Sequence, residues 1–190
     1  KVNHFHATAM EGYGQVNQSF GVVTGQINQI VQQLSSLNVN ISGNPSNLDL
    51  LDSREALLRQ LSDYVDFQTT DNGDGTINIT LGDSMPILVG TYYGTLDTAP
   101  NPMYPEKDEI TVTFNGVTSP ISQKISAGQL GGLLAFRTDI LDVAMQGINQ
   151  LALGVAQAFN AQNALGIDLN GNPGGPLFND INQADVVSQR

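Results

Sequence analysis

The first residues that could do chemistry form an acidic, glycine-rich run between two apolar stretches. The run is Asp71-Asn72-Gly73-Asp74-Gly75, and oxygen-bearing side chains at alternate positions are typical of a calcium loop. If Gly75 is aligned with the glycine that such a loop requires, Thr70 stands at the first ligand position and Leu81 at the bidentate acid position. Both residue types are wrong for calcium. The run therefore predicts a hairpin turn rather than a metal site.

A second run, Asp168-Leu169-Asn170-Gly171-Asn172, also places oxygen ligands at alternate positions. Pro173 then stands where a calcium loop needs glycine, and Asn179 stands where it needs glutamate. Turns rich in Asn and Asp produce such patterns routinely. A structural turn is favoured, and a weak cation site at 168–172 is left open.

The residue types that catalysis needs are scarce. His4 and His6 are the only histidines and the chain has no cysteine, which excludes a His-based triad in the body of the chain, a cysteine nucleophile and a thiolate metal site. Glu106, Asp108 and Glu109 cluster, but a glycosidase also needs a cleft, usually walled by aromatic residues. With no Trp and 6% aromatics, the cluster indicates a solvated acidic loop. We expect no enzyme, no cofactor and no metal; a glycan-cleaving enzyme remains only if this loop faces a cleft.

Glycines at the start of a predicted helix raise the possibility of nucleotide binding. Gly128, Gly131 and Gly132 meet neither the dinucleotide spacing nor the P-loop spacing. We expect these glycines to let a neighbouring backbone come close.

Arg137 interrupts the apolar face of the same helix. Two interpretations stay open at this point. The guanidinium could pair with a buried carboxylate such as Asp52 or Asp63, or it could lie at the edge of the apolar face with its head in water.

Composition excludes several classes of partner. The 190 residues carry a formal net charge of −11, which argues against nucleic acid and against an anionic membrane. Only 13% of residues are charged, so a largely uncharged polar surface is expected, and copies with such a surface can pack side by side without strong repulsion. No apolar run approaches the roughly 18–20 residues that span a bilayer.

The elements that position these residues begin with a long predicted helix at roughly 14–41. Its apolar residues alternate spacings of four and three, which is the seam of a coiled-coil-like helix. This seam contains Val16, Phe20, Val23, Ile27, Ile30, Leu34, Leu37 and Ile41.

Residues 43–47 break this helix, and Ser46 or Asn47 can cap a second one. The second helix runs to about Tyr64 with Leu51, Leu58, Leu61 and Val65 inward, and Glu55 with Arg59 forms an exposed supporting pair. We expect the two helices to form an antiparallel hairpin.

Period-two patterns predict a small antiparallel β domain at 66–125. The predicted strands are 76–81, 87–93 and 109–114, and Asn115-Gly116 is a hairpin signal. The stretch 97–108 has three prolines and is predicted to be a surface loop.

A second long helix is predicted from a capping box at Ser126 and Gln129 to about Asn163. Its seam contains Leu130, Leu134, Leu141, Ile148, Leu151 and Val155. The sequence thus predicts an α+β fold in which 13–65 and 126–165 form a helical rod, 66–125 forms the inserted β domain and 166–190 forms a loop-rich tail. Residues 1–12 show no pattern and no initiator Met, and we interpret them as a foreign leader or the cut edge of a fragment.

Three stretches resemble the flagellar hook-associated protein 1 family. They are 47–58, 128–137 and 150–178, and their order and spacing also fit, with a β region between the first two. The family often ends its third motif with two phenylalanines, and here the first of these is Leu177. The residues that carry the likeness are Asp52, Arg54, Gly131, Gly132, Phe136, Arg137, Phe159, Asn160, Asp168 and Phe178.

The resemblance implies a structural subunit of the junction between hook and filament. It implies export by the flagellar type III apparatus, an export chaperone for the full-length chain, and contacts with copies of itself, hook protein and the second junction protein. Terminal segments that drive polymerisation in the family are not present, so we expect a monomeric fragment. The alternative is a secreted, cation-dependent adhesive module on a helical stalk, which the β insertion and the Asx-rich turns motivate.

Overall fold

A computed structural model describes residues 2–82, 84–167 and 169–179. The described chain contains four α-helices, α1 Val2–Gly43, α2 Leu48–Tyr64, α3 Gly128–Phe136 and α4 Val143–Ala164. Seven strands lie between α2 and α3, and they are β1 Phe67–Asp71, β2 Ile77–Leu81, β3 Met85–Val89, β4 Tyr92–Tyr93, β5 Thr95–Pro100, β6 Asp108–Phe114 and β7 Val117–Pro120. The predicted α+β class, with long helices flanking an antiparallel β region, is confirmed.

The chain divides into two compact units, Gly12–Asp139 and Lys1–Glu11 with Ile140–Arg190. The first unit contains most of α1, all of α2 and α3, and both sheets. The second contains α4. None of the described helices is both long enough and apolar enough to cross a bilayer.

Helix α1 begins at Val2, earlier than the predicted start near residue 14. Ala9 and Tyr13 are buried and continue the seam backwards with the spacing of Val16. The sequence pattern missed them because alanine and tyrosine are only weakly hydrophobic.

Helix α2 begins where its sequence predicts. The Asn47 side chain accepts hydrogen bonds from the backbone N–H groups of Asp49 and Leu50, so the predicted cap is Asn47 rather than Ser46. The predicted exposed ion pair also forms, with Arg59 Nη1 lying 3.8 Å from Glu55 Oε2.

Two antiparallel sheets make up the β region. The first has the order β1-β2-β3-β4 and the second β5-β6-β7. The predicted single strand at 87–93 is wrong, because Gly90 at φ +57 allows a turn that separates β3 from β4. The predicted loop at 97–108 is also too long, since 95–100 pairs with β6 and the loop covers only 101–107. Pro100 ends this edge strand, where its missing N–H costs nothing.

The second long helix is not continuous. A π-helical segment, Arg137–Asp142, separates α3 from α4, and the predicted capping box does not form. The N-cap is Ala127, which provides no side-chain hydrogen bond.

Candidate functional site

The buried face of α1 is built on the predicted seam. Within α1, Val16, Phe20, Val23, Ile27, Ile30, Leu34 and Ile41 are at most 5% exposed, and Leu37 is half-buried. Burying such side chains contributes about 1.5–3 kcal/mol each. The seam therefore supplies a large part of the core of the first unit.

Beside the seam, three asparagines of α1 hydrogen-bond the backbone of the β region. Asn28 accepts from the N–H of Leu96 at 2.7 Å and donates to its carbonyl at 2.8 Å. Asn38 does the same to Ile77, at 3.2 and 2.7 Å, and also donates to the carbonyl of Gly90. Each amide thus hydrogen-bonds both the N–H and the carbonyl of one strand residue, as a neighbouring strand would.

Asn17 forms the third of these contacts, near the other end of the helix. Its amide donates to the carbonyl of Glu106 at 2.9 Å and accepts from the N–H of Asp108 at 3.1 Å. Together the three asparagines, which we call the asparagine ladder, bind α1 to both sheets. The apolar spacing does not reveal the ladder, because it reports only which side of a helix is hydrophobic. The available signal was Asn at spacings of 11 and 10 in a helix, where Asn is intrinsically unfavourable.

Arg137 follows neither of its two predicted interpretations. Its guanidinium donates to the carbonyl of Asp108 and lies 5.3 Å from the ring centroid of Phe20, so it pairs with neither Asp52 nor Asp63. The π-helical segment begins at this residue. The positive charge of Arg137 is therefore stabilised by a backbone carbonyl and an aromatic ring instead of a carboxylate.

The start of α3 is held by a carboxylate from the other end of the β region. Asp66 accepts hydrogen bonds from the N–H groups of Ser126 and Ala127 and from the Ser126 hydroxyl, at 3.0–3.2 Å. Partial burial opposes ionisation of Asp66, but these hydrogen bonds outweigh it and lower the pKa of the carboxyl. Asp66 thus joins the two points where the chain enters and leaves the β region.

Two glycines at the start of α3, Gly128 and Gly131, let a neighbouring backbone come close, as predicted. A Cβ at Gly128, where φ is +71, would lie 2.5 Å from backbone atoms of Tyr64 and Val65, and one at Gly131 would lie 2.6 Å from the Ser126 carbonyl carbon. Gly132 has free space around it. It lines an open, uncharged groove of about 570 Å³ with Leu133, Val22 and Val23 among others.

Residues of the first resemblance motif lie on α2. Arg54 donates to the carbonyl of Gly75 at 2.6 Å and so supports the turn between β1 and β2, whereas Asp52 is exposed. On this helix Leu61 is fully buried, and Leu51 and Leu58 are half-buried.

The third resemblance motif is brought together at the end of α4. Asn160 accepts hydrogen bonds from the N–H groups of Leu177 and Phe178 and donates to the Phe178 carbonyl, all at 2.8 Å. The rings of Phe159 and Phe178 pack edge to face, with their centroids 6.2 Å apart. The part of the predicted tail that precedes residue 180 therefore folds back on α4. Asp168, and with it the first ligand of the open cation site, lies outside the described residues.

The apolar seam of the second long helix is buried only in its first part. Leu130 is fully buried, Leu134 and Leu141 are each 8% exposed, and Ile148 is half-buried. Leu151 and Val155, by contrast, are 57% and 44% exposed, so the described residues do not bury these two members of the seam. Phe136 is also largely exposed.

Most half-buried residues of α4 lie on one side of the helix, and the exposed apolar residues lie beside that side. The half-buried positions are Met145, Ile148, Leu153, Ala156, Asn160 and Asn163. At about 100° per residue, Leu151 lies about a third of a turn away from Met145. The apolar face that contains Val143, Leu151 and Val155, which we call the open face of α4, has no cover among the described residues.

In the part of the chain that the structure describes, no group of three or more His, Cys, Asp or Glu side chains could hold a metal. The run 71–75 forms the predicted hairpin turn. Asp74 accepts hydrogen bonds from the hydroxyl and the N–H of Thr76, which lower the pKa of its carboxyl. In the acidic cluster near residues 106–109, the Glu109 carboxylate accepts a hydrogen bond of 2.6 Å from the Asn101 side-chain amide.

Comparison with known proteins gives consistent matches. A family model described as the flagellar hook-associated protein FlgK helical domain matches residues 1–178. Flagellar hook-associated protein 1 of Escherichia coli K12 is 33% identical over 175 residues, and that of Salmonella typhimurium LT2 is 33% identical over 172 residues. Each alignment covers 86% of this chain and 31% of the relative.

A solved structure shares the fold. The flagellar hook junction protein FlgK from Burkholderia pseudomallei superposes with a TM-score of 0.78 at 32% identity, covering 94% of this chain and 34% of that protein. The chain thus spans about a third of the length of the proteins that it matches.

Proposed function

This chain belongs to the flagellar hook-associated protein FlgK family, and from that membership we propose that it forms part of the structural junction between the flagellar hook and filament. The proposed role is lateral packing of helical rods rather than catalysis. Function then resides in the surfaces that the helices present to their neighbours.

The observation that carries this proposal is the open face of α4. Val143, Leu151 and Val155 are 59%, 57% and 44% exposed, yet Leu151 and Val155 belong to a heptad-like seam. Seams with that spacing pack against another helix. Large exposed apolar surfaces are rare in proteins that have no partner. The open face therefore supports packing against a helix that lies outside the described residues.

The distribution of charge also supports packing between copies. Residues 12–48 and 143–167 contain no charged side chain, although the whole chain carries a formal net charge of −11. Helices without charge can approach equally acidic neighbours without direct repulsion between facing side chains.

The proposal extends to partners and location. The full-length protein is exported through the flagellar type III apparatus with the help of a chaperone and resides outside the cell. There it contacts copies of itself, hook protein and the second junction protein, and it needs neither nucleic acid nor membrane. On its own, the chain of 190 residues is proposed to be a monomer.

The test is deletion of the gene in the source organism. Cells without the protein are expected to retain hooks but lose filaments, and unassembled flagellin is expected in the medium. The full-length gene should restore filaments, while a gene for these 190 residues alone should not. Normal filaments and normal swimming in the deletion strain would contradict the proposal.

A further inference from the structure

Two of the three Asn-Gly pairs in the sequence form turns between neighbouring strands. Asn72-Gly73 follows β1, and Asn115-Gly116 connects β6 to β7. All four residues are exposed. Asparagine is a thermolabile residue, because the backbone nitrogen of the next residue can attack its side-chain carbonyl carbon, and a following glycine hinders this attack least. The two turns thus present the same reactive groups, and the contacts of these groups determine how readily each pair reacts.

Hydrogen bonds hold both reacting groups of the pair Asn72-Gly73. The Asn72 side-chain amide donates to Thr76 Oγ1 at 2.9 Å and to Asn78 Oδ1 at 3.0 Å, and its oxygen accepts from the Asn78 amide at 2.7 Å. The N–H of Gly73 donates to the Asp71 carboxylate at 2.7 Å. Attack requires both groups to leave these partners, and the adjacent negative charge of Asp71 also disfavours loss of the Gly73 proton.

The pair Asn115-Gly116 is not held in this way. Phe114 pairs with Val117, so the two residues between them form the whole turn. Their φ angles of +49 and +77 are those of a two-residue hairpin turn. Among the described residues, neither the Asn115 side chain nor the Gly116 N–H has a hydrogen-bond partner, and a Cβ at Gly116 would meet no atom within 4 Å. The turn can therefore rearrange without breaking a side-chain contact.

We propose that Asn115 is a site of spontaneous deamidation in the folded chain, whereas Asn72 is protected. The Gly116 nitrogen forms a bond to the Asn115 side-chain carbonyl carbon, and the bond from that carbon to the amide nitrogen breaks. Ammonia leaves and takes the proton that the Gly116 nitrogen gives up. Water then opens the cyclic imide at either of its two carbonyl groups and yields aspartate or isoaspartate. The reaction involves no oxidation or reduction and needs no partner protein, so it is independent of the proposed role at the junction.

The isoaspartate product changes the β6–β7 hairpin. It adds one carbon to the backbone of a two-residue turn, and the length of this turn determines the register of the two strands. The hydrogen bond of 2.8 Å between the hydroxyls of Thr113 and Thr118, close to the turn, therefore breaks or shifts. Farther from the turn, the N–H of Ile121 donates to the carbonyl of Ile110 at 2.8 Å, so the change is confined to the turn end of the hairpin.

The test is peptide mapping by mass spectrometry after the folded 190-residue chain has been incubated in heavy-oxygen water at mildly alkaline pH. Deamidation during the incubation incorporates heavy oxygen, and electron-based fragmentation separates isoaspartate from aspartate. Asn115 is expected to convert at least about tenfold faster than Asn72, because attack at Asn72 requires its hydrogen bonds to break. In the urea-unfolded chain the two sites should convert at similar rates, since both precede glycine.

Two variants test the cause of this difference. Asp71→Ala frees the Gly73 N–H and should accelerate conversion of Asn72 without changing the rate at Asn115. Asn115→Gly retains a sequence that two-residue hairpin turns favour and should abolish the product in that peptide. Equal rates at Asn72 and Asn115 in the folded chain would overturn the inference, as would an unchanged Asn115 under conditions in which the unfolded chain reacts. No acceleration by Asp71→Ala would contradict the proposed protection of Asn72.

Discussion

Single amide side chains connect α1 to the β region. Asn28 and Asn38 each bind both the N–H and the carbonyl of one strand residue. These strand groups are part-buried or buried, and an unpaired buried backbone group costs about 1–3 kcal/mol. The asparagine ladder therefore contributes to stability mainly by satisfying backbone groups that would otherwise lack partners.

Replacing a member of the ladder should destabilise the chain. Asn28→Ala and Asn38→Ala are each expected to lower the free energy of unfolding by about 2 kcal/mol, measured by urea denaturation. The matched control is Asn40→Ala in the same helix, because Asn40 is exposed. This control should be neutral or slightly stabilising, since alanine favours the helix. Equal losses from Asn40 and Asn38 would contradict the proposed role of the ladder.

The Asp66 carboxylate predicts a dependence of stability on pH. Its pKa is lowered in the fold by the hydrogen bonds from Ser126 and Ala127, which outweigh the opposing effect of partial burial. The ionised group therefore stabilises the chain above the unfolded pKa of about 3.9, and this contribution is lost as the pH falls through the lower pKa of the folded state.

Asp66→Ala should thus cost about 1 kcal/mol at pH 7, the typical contribution of a helix cap. At acid pH, below the lowered pKa, the difference between this variant and the unmodified chain should disappear. Urea unfolding at several pH values measures both quantities. Asp63→Ala removes an exposed carboxylate of α2 and should show no comparable loss. A cost for Asp66→Ala that stays constant from neutral to acid pH would contradict the account.

At the scale of elements, the start of α3 depends on close contact between two backbones. Gly128→Ala should be strongly destabilising, by more than about 2 kcal/mol, because φ is +71 and the added Cβ would lie 2.5 Å from backbone atoms of Tyr64 and Val65. Gly132→Ala, four residues along the same helix with free space around it, should be neutral or stabilising by up to about 1 kcal/mol. Thermal unfolding of the two variants provides the comparison, and similar effects would contradict the packing described.

The sequence predicted the elements whose signal is local. The seam of α1 follows from spacings of four and three between large apolar residues, and the β6–β7 hairpin follows from Asn115-Gly116, where Asn115 has φ +49. Apolar spacing reports which side of a helix is buried, and hairpin turns depend on local backbone preferences. Both kinds of signal lie within a short stretch of chain.

Features that depend on distant partners were not predicted. Asp66 replaces the expected capping box at Ser126 although it is 60 residues away, and the Asn28 amide binds a strand residue 68 positions later. The π-helical segment at Arg137 is also absent from the pattern, because the four–three spacing continues through it. In each case the structure depends on a contact between residues that are far apart in the sequence, and local conformational propensity does not reveal such contacts.

At the scale of the whole molecule, substitutions on the open face of α4 should impair assembly without changing the stability of the chain. Leu151→Asp and Val155→Asp replace exposed side chains, so each should change the free energy of unfolding of the 190-residue chain by less than about 0.5 kcal/mol. In the full-length protein the same substitutions should abolish filament growth, because a charge would enter an apolar helix interface. Filament counts per cell measure the second effect.

The control for these variants lies in the buried part of the same seam. Leu134→Ala should cost about 2–5 kcal/mol in the 190-residue chain itself, since Leu134 is only 8% exposed. Normal filament growth with both charged variants, in cells that contain the full-length protein at normal levels, would show that the open face is not a packing surface.

The most direct test of the central claim is the position of the full-length protein along isolated flagella. The absence of cysteine in this chain allows a single exposed cysteine at Met103 to be labelled with gold, once any cysteine elsewhere in the full-length protein has been replaced. A structural junction subunit predicts gold particles confined to the boundary between hook and filament in electron micrographs. Label spread along the filament, or absent from intact flagella, would contradict the proposed function.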